Sequence, residues 1–208
     1  SYFINSNKYY NNLIKTKKVF NSFKLDLNNF KIPLLETYDK SYKFDFSKTT
    51  IKKFSKYKNI VVIGMGGSIL GTKSIYSFLR RKIKKNFFFF DNLDVNLNCE
   101  FKKIKNLKNS CFIVVSKSGN TLETITNLGV IFSKTLLKNK LIIITEIMSN
   151  GLMSVADKYN AEVIEHKKFI GGRYSVFSES SMFPAALMNL NLEKFKNLKM
   201  LLKNKNFI

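Results

Sequence analysis

Four short apolar runs, Ile60–Ile63, Phe87–Phe90, Phe112–Val115 and Leu141–Ile144, are followed by the mixed run Glu162–Glu165. The first four show no alternation of apolar and polar residues. Each therefore predicts a strand buried on both faces, as parallel strands are when helices cover both sides of a sheet. The segments between the runs have helical spacing, for example Leu122, Ile125, Leu128 and Gly129. A succession of strand–helix units joined by right-handed crossovers predicts an α/β fold, a doubly wound five-stranded parallel sheet of order 2-1-3-4-5 with flavodoxin-like topology. In that order the first and third strands are neighbours, and the winding reverses between them. Ligands bind outside the carboxyl ends of the strands at such a reversal.

Ahead of the first run, residues 1–57 are polar, rich in Lys and Asn, and irregular in apolar spacing. They predict an N-terminal helical and irregular arm in which Pro33 ends any preceding helix. Residues 58–208 are taken as the domain proper. Near the end, Leu192, Phe195, Leu198, Leu201 and Leu202 recur at helical spacing and predict an apolar face that needs a partner.

Composition changes this picture little. At 208 residues and 45% hydrophobic content, the chain is long enough to bury one sizeable core. The formal charge of +22 raises the question of a polyanion. Yet lysine is dispersed with Asn, Ile, Phe and Tyr throughout, as in "NSNKYYNNLIKTKKVFNSFK", and no nucleic-acid reader motif or aromatic platform accompanies it. No specific nucleic-acid partner is expected. Cys99 and Cys111 lack metal-ligand spacing and are expected to be reduced thiols, with Cys111 opening a buried strand. No apolar run reaches the length of a membrane span and no hydrophobic signal core begins the sequence, so a soluble, cytoplasmic protein without a membrane partner is expected.

Candidate chemistry lies at two junctions. In "GMGGSILG" (64–71), Gly64, Gly66 and Gly67 allow close backbone approach and positive φ, while Ser68 stands where a helix begins and its hydroxyl joins the exposed N–H groups. In "SKSGNTLET" (116–124), the hydroxyls of Ser116, Ser118 and Thr121 surround Gly119 before the next helix. Both junctions face one crevice, and phosphate is their natural guest. Neither is a nucleotide signature, because the glycines lack the G-x-G-x-x-G spacing and no G-K-[ST] follows.

A third motif, "GGRYSVFS" (171–178), follows the fifth strand. The three motifs, in this order and spacing, resemble the sugar-isomerase (SIS) domain of the glucose-6-phosphate isomerase family over roughly residues 55 to 190, including the "FPAAL" helix around Pro184. The resemblance implies that Gly67, Ser68, Ser116, Ser118 and Thr121 hold a sugar phosphate, with Lys117 in the same loop, and that Gly66 and Gly172 lie close to the substrate. Arg173 is implied to be catalytic, stabilising the charge of an enediolate. The implied activity interconverts glucose 6-phosphate and fructose 6-phosphate with neither metal nor organic cofactor, in a protein that is a homodimer at full length.

Three features depart from the pattern. Asn120 stands where the family commonly has Thr, and Met65 where it commonly has Ile. The family's glutamate base, in a Q-x-x-x-E-S-x-G-K pattern, its ring-opening histidine and its C-terminal lysine belong to a second SIS domain that these 208 residues do not contain. Glu179 is expected to be structural, and His166 to be a solvated loop residue. The chain is therefore read as the N-terminal, sugar-phosphate-binding part of such an enzyme, inactive by itself. The alternative is a free-standing phosphosugar-binding regulatory module.

Overall fold

The alternation of side chains along a strand explains why unbroken apolar runs build this core. Residues 5–29, 31–133 and 139–196 are described by the structure, a computed structural model. Strands β1 (Asn59–Gly64), β2 (Asn86–Phe90), β3 (Ser110–Val115), β4 (Leu141–Thr145) and β5 (Glu162–Glu165) form one parallel sheet of order β2-β1-β3-β4-β5. Ile60, Val62, Cys111, Ile113, Ile142 and Ile144 point to one face, and Val61, Ile63, Phe112, Val114, Leu141 and Ile143 to the other. Each face needs its own cover. Helices α2 (Lys48–Ser55), α3 (Gly67–Phe78) and α7 (Glu179–Leu187) bring Phe54, Ile69, Phe183 and Leu187 to the first. Helices α4 (Leu97–Lys102), α5 (Leu122–Phe132) and α6 (Gly151–Tyr159) bring Phe101, Leu128, Ile131 and Leu152 to the second.

Two local expectations are corrected. The β2 run is not buried on both faces: it is an edge strand, and Phe88 and Phe89 are half-buried because no neighbour covers its outer side. In α5 the inward positions are Thr124, Asn127, Leu128 and Ile131, whereas Leu122 is 70% and Ile125 37% exposed. Asn127 can turn inward because its Nδ2 donates to the Asn92 carbonyl at 3.0 Å, whereas the Thr124 hydroxyl is buried without a partner among the described residues.

The first 57 residues divide. Helix α1 (Ser6–Asn29) is exposed along most of its length and ends before Pro33, which opens a 3-10 turn over Pro33–Tyr38. From there the chain enters the packed unit. Ser47 caps α2 by accepting the Thr50 N–H at 3.0 Å, and Phe54 and Tyr57 join the core, with the Phe54 ring set edge-on to Phe183. The boundary expected at residue 57 thus falls inside the core's own contacts. Of the apolar face expected over 192–202, Leu192 and Phe195 are half-buried, and Leu198, Leu201 and Leu202 lie outside the described residues.

Cys99 is exposed and Cys111 buried, both unbridged, and burial pushes the Cys111 thiol up to about 12. Among the described residues no helix is long and apolar enough to cross a membrane.

Candidate functional site

Strands β1 and β3 lie side by side, Gly64 in register with Val115, so the loops after them leave the sheet at the same edge. Gly66 N-caps α3 with φ +53° and ψ −127°, a conformation that favours glycine. Gly67 is needed for another reason: a β-carbon there would lie 2.3 Å from the Gly172 carbonyl oxygen and 2.7 Å from Arg173 Cα. The loop after β1 and the loop that carries Arg173 are therefore in backbone contact. Ser68 is buried at 8% exposure in the first turn of α3, where its N–H donates to the Met65 carbonyl at 3.2 Å and those of Ile69 and Leu70 to the Gly66 carbonyl at 3.1 and 3.0 Å, so that among the described residues the Gly67 N–H is the one left without an acceptor at this positive helix end.

The loop after β3 is built on hydroxyls and two asparagines. Ser116 Oγ and Thr121 Oγ1 lie 2.8 Å apart, and Thr121 precedes α5 without capping it, so that helix begins with uncapped N–H groups. Ser118 is exposed, and its hydroxyl accepts the Asn120 N–H at 3.3 Å. Gly119 has φ +67° and passes beneath the Asn150 side chain, whose Oδ1 caps α6 by accepting the Met153 N–H at 2.9 Å. Asn120 Oδ1 accepts the Gly151 N–H at 2.8 Å. The residue that departs from the family pattern thus pins the loop to α6. Lys117 Nζ donates to the Lys168 carbonyl at 2.7 Å and pairs with Glu146 at 3.4 Å, so its charge is held on the β4–β5 side of the loop.

Gly171 and Gly172 lead into a 3-10 turn over Gly172–Phe177, locked by serines. Ser175 Oγ lies 2.8 Å from the Gly172 carbonyl and 3.4 Å from that of Gly67. Ser178 and Ser180 both donate to the Ser175 carbonyl at 2.8 Å. On this buttress Arg173 is exposed, and its guanidinium makes no hydrogen bond or ion pair among the described residues. The structure thus joins Gly67 to Gly172–Arg173 and Ser116 to Thr121, and sets Ser68 and Ser116 at the ends of adjacent strands. Lys117 it holds elsewhere.

Glu179 is fully buried at the start of α7, where its carboxylate accepts from Tyr42 Oη at 3.0 Å and from the Asp45 N–H at 3.2 Å. Burial pushes its pKa up against those donors. His166, expected to be solvated, is only 1% exposed, because the turn after β5 folds it under the Lys117–Glu146 side of the sheet. Burial holds its imidazole below the usual histidine value.

A profile of the phosphoglucose isomerase family matches residues 43–207, most of the chain. The chain belongs to the phosphoglucose isomerase family. It is 34% identical over 155 residues to the glucose-6-phosphate isomerase of Methanocaldococcus jannaschii, a match covering 73% of this chain and 38% of that one. It is 35% identical over 144 residues to that of Borreliella afzelii, covering 64% and 27%. Among solved structures, a glucose-6-phosphate isomerase from Chlamydia trachomatis superposes with TM-score 0.59 at 28% identity, over 73% of this chain and 29% of that chain. The chain spans well under half the length of these relatives.

Within this member of the phosphoglucose isomerase family, sequence reasoning missed Asn150, Tyr42 and the Ser175–Ser178–Ser180 web. Asn150 had a signal, since an Asn ahead of a helical pattern marks an N-cap. Tyr42 had none, because its partner lies 137 residues away.

Proposed function

We propose that this chain supplies the phosphate-binding and arginine-bearing part of a glucose-6-phosphate isomerase. The observation that carries the reading is the backbone contact of Gly67 with Gly172 and Arg173, which sets the arginine loop against the first anion loop. In this reading the Gly67 N–H and the first-turn N–H groups of α5, with the hydroxyls of Ser68, Ser116, Ser118 and Thr121, hold the phosphate of the sugar. Gly66 and Gly172 leave room for the sugar beside them. Lys117 adds positive potential to the second loop while tied to Glu146.

Aldose–ketose interconversion moves a proton between C1 and C2 through an enediol. A fixed phosphate holds the reacting carbons at a constant distance from the protein. The exposed, unpaired guanidinium of Arg173 is free to meet the negative charge that develops on the C1 and C2 oxygens. Neither Glu179, which Tyr42 and the Asp45 N–H already hold, nor the buried His166 is placed to take the proton. The base is assigned to another part of the whole protein. A homodimer in the cytoplasm, acting on glucose 6-phosphate and fructose 6-phosphate, completes the proposal.

Calorimetric titration of the 208-residue chain with fructose 6-phosphate tests it. Ser68→Ala and Thr121→Ala are each expected to weaken binding by roughly 1 to 3 kcal/mol, the scale for a hydrogen bond to a charged group, with unchanged circular dichroism. Parent-like binding by both variants, together with loss of binding from a change in a distant loop, would place the site elsewhere.

A further inference from the structure

The chain's single histidine is buried in the turn after β5, at 1% exposure. His166 N–H donates to the Thr145 carbonyl at 2.8 Å, fixing the residue to the end of β4. Its Nδ1 lies 3.3 Å from the Lys167 carbonyl, while Nε2 is buried without a partner among the described residues. Lys117 faces it from the β3–α5 loop and Glu146 from the end of β4. Its own segment carries the Glu165–Lys167 pair and Lys168, and Asp45 accepts the Glu165 N–H at 2.6 Å. The turn held in this way runs into the arginine loop. Ile170, fully buried, donates its N–H at 3.0 Å to the same Lys167 carbonyl that the imidazole faces. Two residues further on, Gly172 meets Gly67. A further tie on this turn is the Lys117 bond to the Lys168 carbonyl, from the loop that carries Ser116 and Thr121.

We propose that His166 is a positioning residue whose neutral imidazole, together with Lys117, couples the arginine loop to the phosphate loop, and that protonation of His166 uncouples them. A carbonyl only accepts, so Nδ1 carries the proton and Nε2 is a bare lone pair. In the imidazolium both nitrogens donate. Nε2–H would then be buried with no acceptor, and a second cation would lie near Lys117 in a desolvated place. Glu146 favours that charge but is already engaged by Lys117 at 3.4 Å. The ring gains by leaving for water, which releases the Lys167 carbonyl and loosens the turn ahead of Arg173. The lowered imidazole pKa is consistent with this cost. The coupling is a property of the fold; its consequence for ligands rests on the proposed sugar-phosphate site.

A single histidine gives one set of imidazole resonances, so nuclear magnetic resonance on the parent chain tests the coupling without any variant. The expected result is a His166 midpoint below the ordinary value of about 6.5, shared by the amides of Lys117, Gly119, Gly172 and Arg173. Amides that ignore the histidine's titration would overturn the proposal. Sulfate, dianionic throughout, then probes binding from about pH 7.5 to about pH 5. Parent affinity is expected to fall as the pH drops through the His166 midpoint, and His166→Asn to flatten the profile. A variant that keeps the parent's pH dependence would refute the role. Should the amides follow His166 while neither sulfate nor fructose 6-phosphate binds at any pH, the coupling stands and the sugar-phosphate reading falls.

Discussion

Gly66 and Gly67 are neighbours that need to be glycine for different reasons. Positive φ is found at Gly66 and not at Gly64 or Gly67, where the sequence had allowed it equally. A β-carbon at Gly66 meets nothing within 4 Å, so Gly66→Ala is expected to cost only backbone strain, about 1 to 3 kcal/mol of stability. A β-carbon at Gly67 meets the backbone of Gly172 and Arg173, which flexible side-chain motion cannot relieve. Gly67→Ala should cost a similar 1 to 3 kcal/mol or so by overpacking, and in addition displace the arginine loop. Thermal melts and fructose 6-phosphate titrations on both variants separate the two effects. The expected outcome is comparable loss of stability with a larger loss of affinity for Gly67→Ala; equal affinities would show that the contact does not position the site.

In the proposed site the phosphate-binding groups lie at helix ends, so changes to caps and first turns should be felt there. Asn150→Ala removes the α6 cap, worth about 1 kcal/mol, and also uncovers Gly119. Amide hydrogen exchange is expected to accelerate at residues 118–121 more than within the body of α6; protection unchanged in that loop would show that it is held by other contacts. At the start of α7, Glu179 offers a pH test with a definite sign. Its pKa is raised in the folded state, so the stability it contributes is fully present below the ordinary carboxyl value and is lost as pH rises through the folded value. Glu179→Gln keeps an acceptor for Tyr42 and the Asp45 N–H but cannot ionise. The variant's melting temperature should therefore gain on the parent's as pH is raised from acid to neutral. A gain in the opposite direction would mean that the ionised form is the one the fold favours.

For the molecule as a whole, the excess of 36 basic over 14 acidic side chains is spread over the chain and does not form a motif. Duplex DNA is expected to bind weakly, without sequence preference, and to be released as salt rises, because dispersed lysines act through counterion release. Sequence-selective binding at physiological salt in a fluorescence anisotropy titration would contradict this. Removal of residues 1–31 takes away α1, which is exposed along most of its length, and leaves Leu35, Tyr42 and Phe54 in place. The melting temperature should change little. Phe54→Ala, by contrast, opens a cavity beside Phe183 and should cost about 3 to 5 kcal/mol.

The parallel sheet and its order were legible in the sequence because the runs are unbroken by polar residues, and the burial of β1, β3 and β4 on two faces leaves few topologies that short, right-handed connections can make. The glycine and hydroxyl loops were legible for a similar reason: backbone approach and helix N-termini need those residue types locally. What only the tertiary structure decided are contacts between residues distant in sequence. Asn120 is a missing hydroxyl in the sequence and a hydrogen-bond partner of Gly151 in the fold. His166 follows a strand like any loop residue, yet the chain folds it under Lys117 and Glu146, where water cannot reach it. Tyr42 reads as part of a polar arm until Glu179 closes on it. Spacing along the chain records which face of its own element a residue takes. It does not record what the neighbouring element presents to that face, and burial, pairing and pKa are set there.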